Sequence, residues 1–578
     1  MHSIVQIFKL AKVHQPFSLY IFICIFVITS IFEMFGIGML IPLIAIILDP
    51  NFLNNLSIPP YSLYIPNFFL TINYDSLLII TSLSVILLYL FKHLFLLFSV
   101  YLITNFVGKI KANLTNKLMS NYLAQNYLYH TTKKNSEINN NINQRIESIA
   151  NSSVAALLYI VSEVLIIFSL IILIFIFGQG SIFFIIFLFL LFAVIISKFL
   201  SKKIKEFGQS KKFEQSKKFE TFSNLLNNIR EVILLGKKNF AFLDFFNSQH
   251  AVSKLDAKVA ILQRAPFSLF EMMGLLGLIV TIFYLRHLGY ASVQIIAICT
   301  FFAAISYRVI PSLNKIIFYY YQIKYTHPIF ASTLKELNLN PVIKFHDEKI
   351  NFERLISLNN VSFEYEDKKP ILRNINLEIK KNTIIGIVGK SGSGKTTLLD
   401  IISGLIFPTT GTYKIDDILI SNHYLSRKVQ NITSYASQKV TVLSDSLKKN
   451  ICFGLDENFI DHNKYQKVID ITMLRDFVNS GKGDVELSDF GKNVSGGQLQ
   501  RIGIARALYF DKEIMIFDES TSSLDTETES AIIKNIKNSN LGKTIIIVSH
   551  RIENLKYCKK IYEVNEGTIF LKHGKEFI

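Results

Sequence analysis

The sequence is poor in charged residues and in cysteine, and both shortages narrow the class of protein. Only 18% of the 578 residues are charged, whereas 50% are hydrophobic. A soluble enzyme carries about a quarter charged residues. The four cysteines, at positions 24, 299, 452 and 558, show no metal-ligand spacing, so we expect isolated reduced thiols. The composition therefore disfavours a soluble single-domain enzyme and a cysteine-based metal site.

Long apolar segments fill the first 330 positions, where the phenylalanines are concentrated. A spanning helix needs about 20 predominantly apolar residues. Six segments are long enough, and we place them at 17–48, 76–106, 153–177, 180–201, 262–286 and 291–322. No signal peptide with a cleavage site is evident, and the first run is too long for the apolar part of one. This part is therefore predicted to be a bundle of six transmembrane helices.

The net charge of +17 comes from lysine and arginine between the apolar segments, without an aromatic-interleaved basic stripe. We therefore expect no nucleic-acid partner. The loop at 50–75 and the link at 178–180 contain no lysine or arginine, whereas the stretches after the second and fourth segments are rich in both. Because positively charged loops stay in the cytoplasm, the N-terminus, both long polar connections and the C-terminal domain are predicted to be cytoplasmic.

From about Pro341 short β-rich runs alternate with helical ones, which indicates an α/β domain. We expect a transmembrane domain at 1–336, a linker at 337–355 and a P-loop ATPase domain at 356–578. Residues Gly389, Lys390, Ser391, Gly392, Ser393, Gly394, Lys395 and Thr396 fit G-x-x-x-x-G-K-[ST] between two apolar runs. This is the strand, glycine-rich loop and helix of a phosphate-binding loop.

The chemistry of this loop predicts ATP and Mg²⁺ as ligands. Backbone N–H groups and the positive end of the following helix surround the β- and γ-phosphates. Lys395 is expected to neutralise phosphate charge, Thr396 to ligate Mg²⁺, and Thr397 to belong to the same site.

Two further motifs follow in order. The motif Val494-Ser495-Gly496-Gly497-Gln498 opens a predicted helix, where serine and glycine make an anion site. Asp518 then ends an apolar strand, and Glu519 follows it. Together with the P-loop, these motifs resemble the nucleotide-binding domain of an ABC ATPase, and the fused layout resembles an ABC exporter half-transporter.

The resemblance implies specific roles. Asp518 would hold Mg²⁺, Glu519 would be the general base, and Gln438 would sense Mg²⁺ and the attacking water. His550 would contact the γ-phosphate and Tyr365 would stack on adenine, although a lone tyrosine there could equally be a strand residue.

In the same family Ser495, Gly496, Gly497 and Gln498 bind the γ-phosphate held by another chain, and Asp525 lies in the loop that crosses the interface. A second copy is thus implied, and the complete hydrolytic set favours a homodimer. The exporter layout also implies short coupling helices near Tyr127–Lys134 and Ile229–Lys237, where solvated helical hairpins are the alternative.

Five charges fall inside the predicted spans, namely Glu33, Lys92, Glu163, Glu271 and Arg308. A charged side chain within a bilayer is energetically unfavourable, so such residues pair with one another or mark a substrate path. Both interpretations stay open from the residues alone: internal ion pairs, or a cavity for an anionic head group.

The patches Glu33–Gly38 and Tyr307–Ile316 resemble the bacterial flippases of lipid-linked oligosaccharides, which act in the inner membrane. In that family cations in the cavity are implied to attract the diphosphate of a polyprenyl-linked glycan. Lys92 and Arg308 fall on such positions; Phe267 occupies a third, with Arg264 three residues earlier. Membrane lipid is a further expected partner. The alternatives are an exporter of drugs, lipids or small peptides, and a non-pumping ATP-gated membrane protein.

Overall fold

The computed structural model describes residues 16–40, 43, 46–47, 74–176, 180–290, 292–340, 348–365, 370–482, 486–487, 494–521, 523–539, 542–549, 551 and 555–572. The chain divides into two compact units. The first contains residues 1–123 and 133–340, and the second contains residues 124–132 together with 341–578.

The described part of the first unit is helical, and the segment 124–132, which belongs to the second unit, also contains a short helix. The helices are α1 (Pro16–Gly38), α2 (Tyr74–Leu123), α3 (Tyr127–Thr132), α4 (Asn135–Ile176), α5 (Gly180–Asn227), α6 (Ile229–Leu234), α7 (Lys238–His287) and α8 (Ser292–Leu337). Within α4, Asn141–Arg145 and Ala150–Ala155 are π-helical.

Five helices of the described residues are long and apolar enough to cross a membrane. They are Tyr20–Gly38, Tyr74–Leu123, Asn135–Ile176, Lys238–His287 and Gln294–Leu337. The predicted fourth span, 180–201, lies within α5. The helical membrane bundle is therefore confirmed, with a helix at each predicted span.

Helix α1 ends at Gly38, within the first predicted span of 17–48, and the described residues Leu40, Leu43, Ile46 and Ile47 beyond it are again helical. Most of the predicted external loop at 50–75 lies outside the described residues. The two predicted coupling segments each contain a short helix, α3 and α6. Of the two, α3 belongs to the second compact unit and α6 to the first.

Aromatic and branched side chains form the core of the helical unit. Phe270 of α7 is fully buried and packs edge-to-face on Phe189 of α5, with ring centroids 6.3 Å apart. Helices α7 and α8 approach closely at Gly274, where an added Cβ would lie 2.9 Å from Cδ1 of Ile310. Small residues allow such close packing between membrane helices.

The second unit contains two sheets. The strands are β1 (Leu355–Glu364), β2 (Pro370–Lys380), β3 (Ile384–Val388), β4 (Thr410–Ile415), β5 (Ile418–Leu419), β6 (Thr433–Ala436), β7 (Ile514–Asp518), β8 (Thr544–Val548), β9 (Lys560–Asn565) and β10 (Thr568–Lys572). One sheet is antiparallel, in the order β2-β1-β4-β5, and the other has the order β10-β9-β3-β8-β7-β6.

The helices of this unit are α9 (Lys395–Ile402), α10 (His423–Ile432), α11 (Leu447–Ile451), α12 (His462–Ile471), α13 (Arg475–Phe477), α14 (Gly496–Tyr509) and α15 (Thr526–Asn538). Short 3₁₀ and π-helical turns span Glu457–Phe459 and Val478–Lys482.

The larger sheet positions the candidate site. Strands β3, β8, β7 and β6 are parallel, and every residue of β7 and β8 is buried. Such continuously apolar strands are typical of a parallel sheet covered on both faces. Parallel strands end at one common edge, where α/β proteins bind ligands. The P-loop follows β3, and Asp518 ends β7, so both lie at this edge.

Candidate functional site

The P-loop runs from the end of β3 into α9. Gly389 has φ +153°, and an added Cβ would lie 2.2 Å from the carbonyl oxygen of Val564. Only glycine therefore permits this close approach. Lys390, Ser391 and Gly392 are exposed, and Gly394 precedes α9 in a left-handed conformation.

The side chain of Lys395 lies within the loop. Its Nζ donates to the carbonyl oxygens of Gly389, at 2.6 Å, and Lys390, at 3.1 Å. Ser393 is buried, and its Oγ has no hydrogen-bond partner among the described residues. A buried polar atom without a partner is costly, and a phosphate oxygen is a suitable acceptor for this hydroxyl.

Asp518 provides the carboxylate of the predicted metal site. It is 6% exposed, and its side chain hydrogen-bonds to those of Thr396 and Tyr435. Burial raises the pKa of Asp518 above its ordinary value, and these hydrogen bonds act in the opposite direction. The structure thus places Thr396 and Asp518, two of the three residues predicted to bind Mg²⁺, in direct contact.

Glu519 follows in a left-handed conformation, with φ +47°. A non-glycine residue with positive φ is uncommon and is often found at functional sites. Its Oε2 accepts a 2.5 Å hydrogen bond from Nε2 of Gln438, and its Oε1 lies 3.7 Å from Nζ of Lys395. The backbone geometry therefore directs this carboxylate towards the P-loop lysine.

The residues present fit ATP with Mg²⁺. The loop offers backbone N–H groups, a lysine and a free serine hydroxyl, while Thr396, Asp518 and Gln438 offer the oxygen ligands that Mg²⁺ prefers. Bound Mg²⁺ would neutralise phosphate charge during phosphoryl transfer.

The Ser-Gly-Gly-Gln motif begins α14. Oγ of Ser495 accepts from the backbone N–H of Gln498 at 3.2 Å, and Oε1 of Gln498 accepts from that of Ser495 at 2.9 Å. This capping box fixes the helix start and leaves Ser495 and Gly496 exposed.

Nearby, the backbone N–H of Ser523 donates to Oε1 of Gln500 at 2.7 Å. Asp525 caps α15 by accepting from the backbone N–H of Thr528 at 2.9 Å, and this bond lowers its pKa. The interface loop that the resemblance implies is therefore anchored to α14.

Tyr365 and His550 are the other two residues predicted to contact the nucleotide, and of these the structure describes only Tyr365. Tyr365 follows β1 and packs edge-to-face on Phe363, with ring centroids 4.9 Å apart. His550 lies outside the described residues. The nucleotide roles of both stay predictions.

Sequence reasoning missed Asp400 and Tyr435. Asp400 on α9 is 8% exposed, and burial, with the nearby charge of Asp518, raises its pKa to about 7. Tyr127 of α3 lies close enough to Asp400 for that charge, after burial, to raise the tyrosine pKa. Tyr435 lies only three residues before Gln438, at the carboxyl end of β6. This position is the signal that could have revealed it.

A second polar group lies within the membrane helices. Glu33 of α1 forms ion pairs with Lys92 of α2, at 2.7 Å, and with Arg308 of α8, at 3.0 Å. Glu163 of α4 lies 3.6 Å from Arg308 and 2.8 Å from Lys315. Ser312 also donates to Glu163 at 2.8 Å. We call Glu33, Lys92, Glu163, Arg308 and Lys315 the ion cluster; it contains three cations and two carboxylates.

Arg308 also lines a cavity of about 560 Å³ between α7 and α8. Its other lining includes Phe267, Glu271, Ser306 and Tyr307. Nε of Arg308 is buried without a hydrogen-bond partner in the described part of the chain. Arg264 is exposed on α7, and no ion pair between described residues involves it. The geometry thus joins Lys92 and Arg308 but not Arg264.

Family comparisons agree with this architecture. The family described as "ABC transporter transmembrane region" matches residues 17–309, just over half of the chain. The family described as "ABC transporter" matches residues 372–522.

Relatives match over a shorter stretch. A multidrug resistance ABC transporter ATP-binding and permease protein of Lactococcus lactis is 33% identical over 38% of this chain and 38% of its own length. An ATP-dependent lipid A-core flippase of Colwellia psychrerythraea is 34% identical over 37% of each chain. A leukotoxin translocation ATP-binding protein of a Pasteurella haemolytica-like species is 35% identical over 38% of this chain and 31% of its own. The aligned stretches thus span well under half of these relatives.

A bacterial Atm1-family ABC exporter with ATP bound has the same fold, with a TM-score of 0.77 over 98% of this chain and 94% of its own. The identity is 16%, so this likeness concerns the fold alone. Taken with the P-loop, the Asp518–Glu519 pair and the membrane bundle, the family matches show that the chain belongs to the ABC transporter family, with a multi-pass membrane domain fused to the ATPase domain.

Proposed function

We propose that the chain is an ATP-hydrolysing exporter or flippase of the bacterial inner membrane that works as a homodimer by alternating access. Its substrate in this proposal is an amphipathic molecule with an anionic head group, specifically a polyprenyl-diphosphate-linked oligosaccharide. The observation that carries the hydrolytic part is the convergence of Lys395, Gln438 and Glu519 at the P-loop.

Each of these side chains has a defined task. Lys395 binds phosphate, so it must exchange the carbonyls of Gly389 and Lys390 for phosphate oxygens. Glu519 accepts a proton from water as general base, and Gln438 orients that carboxylate. His550 contributes a γ-phosphate contact in the proposal.

Two features support a second copy as partner. The exposed start of α14 offers an anion site that the chain's own contacts leave open to solvent. Helix α6 exposes Ile229, Ile233 and Leu234, an apolar face that a second copy would cover. Closure of the dimer on ATP would then act on the membrane helices through α3 and α6.

The ion cluster supports an anionic substrate. Its three cations exceed its two carboxylates, and Arg308 connects the cluster to the cavity. An anionic head group in that cavity would meet a guanidinium, which presents a planar fork for phosphate oxygens. Lys92 would add a point charge, and the apolar lining suits a lipid tail.

A second candidate is an exporter of drugs, lipids or small peptides. The relatives named for multidrug resistance, lipid A-core flipping and leukotoxin translocation favour it. So does Glu271, which gives the cavity a carboxylate as well as a cation.

Reconstituted protein separates the two candidates. ATP turnover in liposomes is measured with a polyprenyl diphosphate, with the matching neutral polyprenol, and with a lipophilic cation. We expect the diphosphate alone to stimulate turnover, and Arg308→Ala to lose that stimulation while keeping basal turnover. Stimulation by the cation alone favours the second candidate. Equal turnover in wild type and Glu519→Gln would refute the hydrolytic assignment itself.

A further inference from the structure

Tyr435 contacts the metal-site carboxylate directly. Its Oη donates to Oδ2 of Asp518 at 2.8 Å. The two residues lie on neighbouring parallel strands, where Tyr435 pairs with Ile516, two positions before Asp518. The phenol ring therefore reaches along the carboxyl edge of the sheet to the end of the adjacent strand.

The chemistry of this contact suits the orientation of a metal ligand. A carboxylate has two oxygens with about four lone-pair sites, so a donor fixed on Oδ2 restricts rotation of the group and still leaves lone pairs for a metal ion. A neutral phenol also adds no positive charge next to a cation site, unlike the ammonium of Lys395.

We propose that Tyr435 is a positioning residue for Mg²⁺ binding, because its hydroxyl holds the Asp518 carboxylate in the orientation that ligates the metal, directly or through water. This inference rests on the proposed ATPase function. Groups that hydrogen-bond to metal ligands commonly change metal affinity by about 10- to 100-fold when they are removed.

The chain offers a matched control. Tyr413 is also a buried tyrosine of this unit, and its Oη donates to the carbonyl oxygen of Ile402 at 2.7 Å. Tyr413→Phe removes the same atom as Tyr435→Phe, but from a backbone acceptor instead of the metal-site carboxylate. It controls for general loss of stability.

The test measures equilibrium binding of a fluorescent ATP analogue to the full-length protein, with saturating Mg²⁺ and with EDTA. All variants carry Glu519→Gln to prevent turnover. We expect Tyr435→Phe to reduce the Mg²⁺-dependent gain in affinity by about 10-fold, with affinity in EDTA unchanged. Tyr413→Phe is expected to keep the full gain, and Asp518→Asn to abolish it.

A second measurement uses the active protein. The Mg²⁺ concentration for half-maximal ATP turnover should rise in Tyr435→Phe, while turnover at saturating Mg²⁺ largely recovers. If Tyr435 had only a structural role, Tyr435→Phe would lower the stability of the protein without changing the Mg²⁺ concentration needed for half-maximal turnover. Identical Mg²⁺ dependence in Tyr435→Phe and wild type overturns the inference. Failure of Asp518→Asn to change the Mg²⁺ effect would instead count against the proposed metal site and function.

Discussion

Gln438 holds Glu519 in a short hydrogen bond, with Nε2 and Oε2 2.5 Å apart. The other carboxylate oxygen lies 3.7 Å from Nζ of Lys395, a residue that must bind phosphate in the proposed reaction. The amide and the ammonium therefore attract the same carboxylate from two sides. We therefore expect Gln438 to limit how closely Glu519 approaches the lysine.

Gln438→Ala should therefore reduce ATP turnover more than nucleotide binding. Without the amide, Glu519 loses its orientation and moves closer to Lys395. We expect turnover to fall by about 100-fold, within the usual range for a general base. The measurement is steady-state phosphate release alongside equilibrium nucleotide binding.

Gln430→Ala provides the control for that experiment. The Gln430 amide donates to the carbonyl oxygen of Gly404 at 2.6 Å, so its removal changes a backbone contact of the same unit. Turnover of this variant should stay near wild type. Equal losses in the two variants would contradict a specific role of Gln438.

Glu33→Gln should destabilise the membrane domain strongly. The change leaves Lys92 without its carboxylate partner and leaves Arg308 with only the longer contact to Glu163. Breaking a buried ion pair on one side costs about 3–5 kcal/mol. Thermal unfolding in detergent measures this loss, and the double variant Glu33→Gln/Lys92→Met should recover part of it.

Glu271→Gln is the matched control for the ion cluster. Glu271 lies on a membrane helix and is exposed, and the described residues form no ion pair with it. The thermal stability of the Glu271→Gln variant should remain close to that of the wild type. Strictly additive effects of Glu33→Gln and Lys92→Met would show that the two groups do not interact.

We expect Asp400 to make the stability of the ATPase domain depend on pH. Its pKa is about 7 in the folded protein, against an ordinary value of 3.8. Between these values the unfolded chain has lost the proton that the folded chain retains, so stability falls as pH rises and levels off above about 7. Protonated Asp400 is thus the form that the fold favours.

Asp400→Asn should remove this dependence. A pKa difference of three units corresponds to roughly 4 kcal/mol. We therefore expect Asp400→Asn to raise the free energy of unfolding by about 2–4 kcal/mol at pH 8 and to leave it almost unchanged at pH 4. Thermal unfolding without nucleotide at both pH values measures it. Asp417→Asn, at an exposed pair with Arg354, should have little effect at either pH. A constant difference between wild type and Asp400→Asn from pH 4 to 8 would contradict the assignment.

Sequence alone predicted the parts of the site whose spacing along the chain is fixed. The P-loop joins one strand to one helix, and Asp518 and Glu519 are consecutive, so their relation needs no knowledge of the fold. Tyr435 could not be found this way, because its contact with Asp518 depends on β6 and β7 being neighbours. The same limit applies to Asp400, because its proximity to Asp518 depends on how α9 lies relative to β7.

In the membrane domain, too, the sequence predicted the helices but not the contacts between them. Apolar length predicted the helices, and the charges within them were evident from the sequence. Whether these charges pair was left open, because pairing depends on which helices face one another. The structure shows Lys92 and Arg308 both paired with Glu33, and it adds Ser312 and Lys315 as partners of Glu163.

Gly496→Ala tests whether ATP hydrolysis needs two chains. A Cβ added at Gly496 would lie 3.6 Å from Cβ of Ser523, which is an ordinary contact, and alanine favours the helix. The variant should therefore fold normally. If a second chain brings its γ-phosphate to this helix start, the added methyl group obstructs it, and turnover should fall by at least about 10-fold, as for other lost contacts to transition-state charge.

Mixed dimers, purified through two different tags, show whether each ATP-hydrolysing site is formed by one chain or by two. A dimer of Lys395→Met with Gly496→Ala keeps one intact composite site only if the P-loop of one chain works with the Ser-Gly-Gly-Gln motif of the other. A dimer of wild type with the chain carrying both changes keeps no such site, although its wild-type chain is complete. We expect ATP turnover in the first dimer and much less in the second. The reverse order would show that each chain hydrolyses ATP by itself.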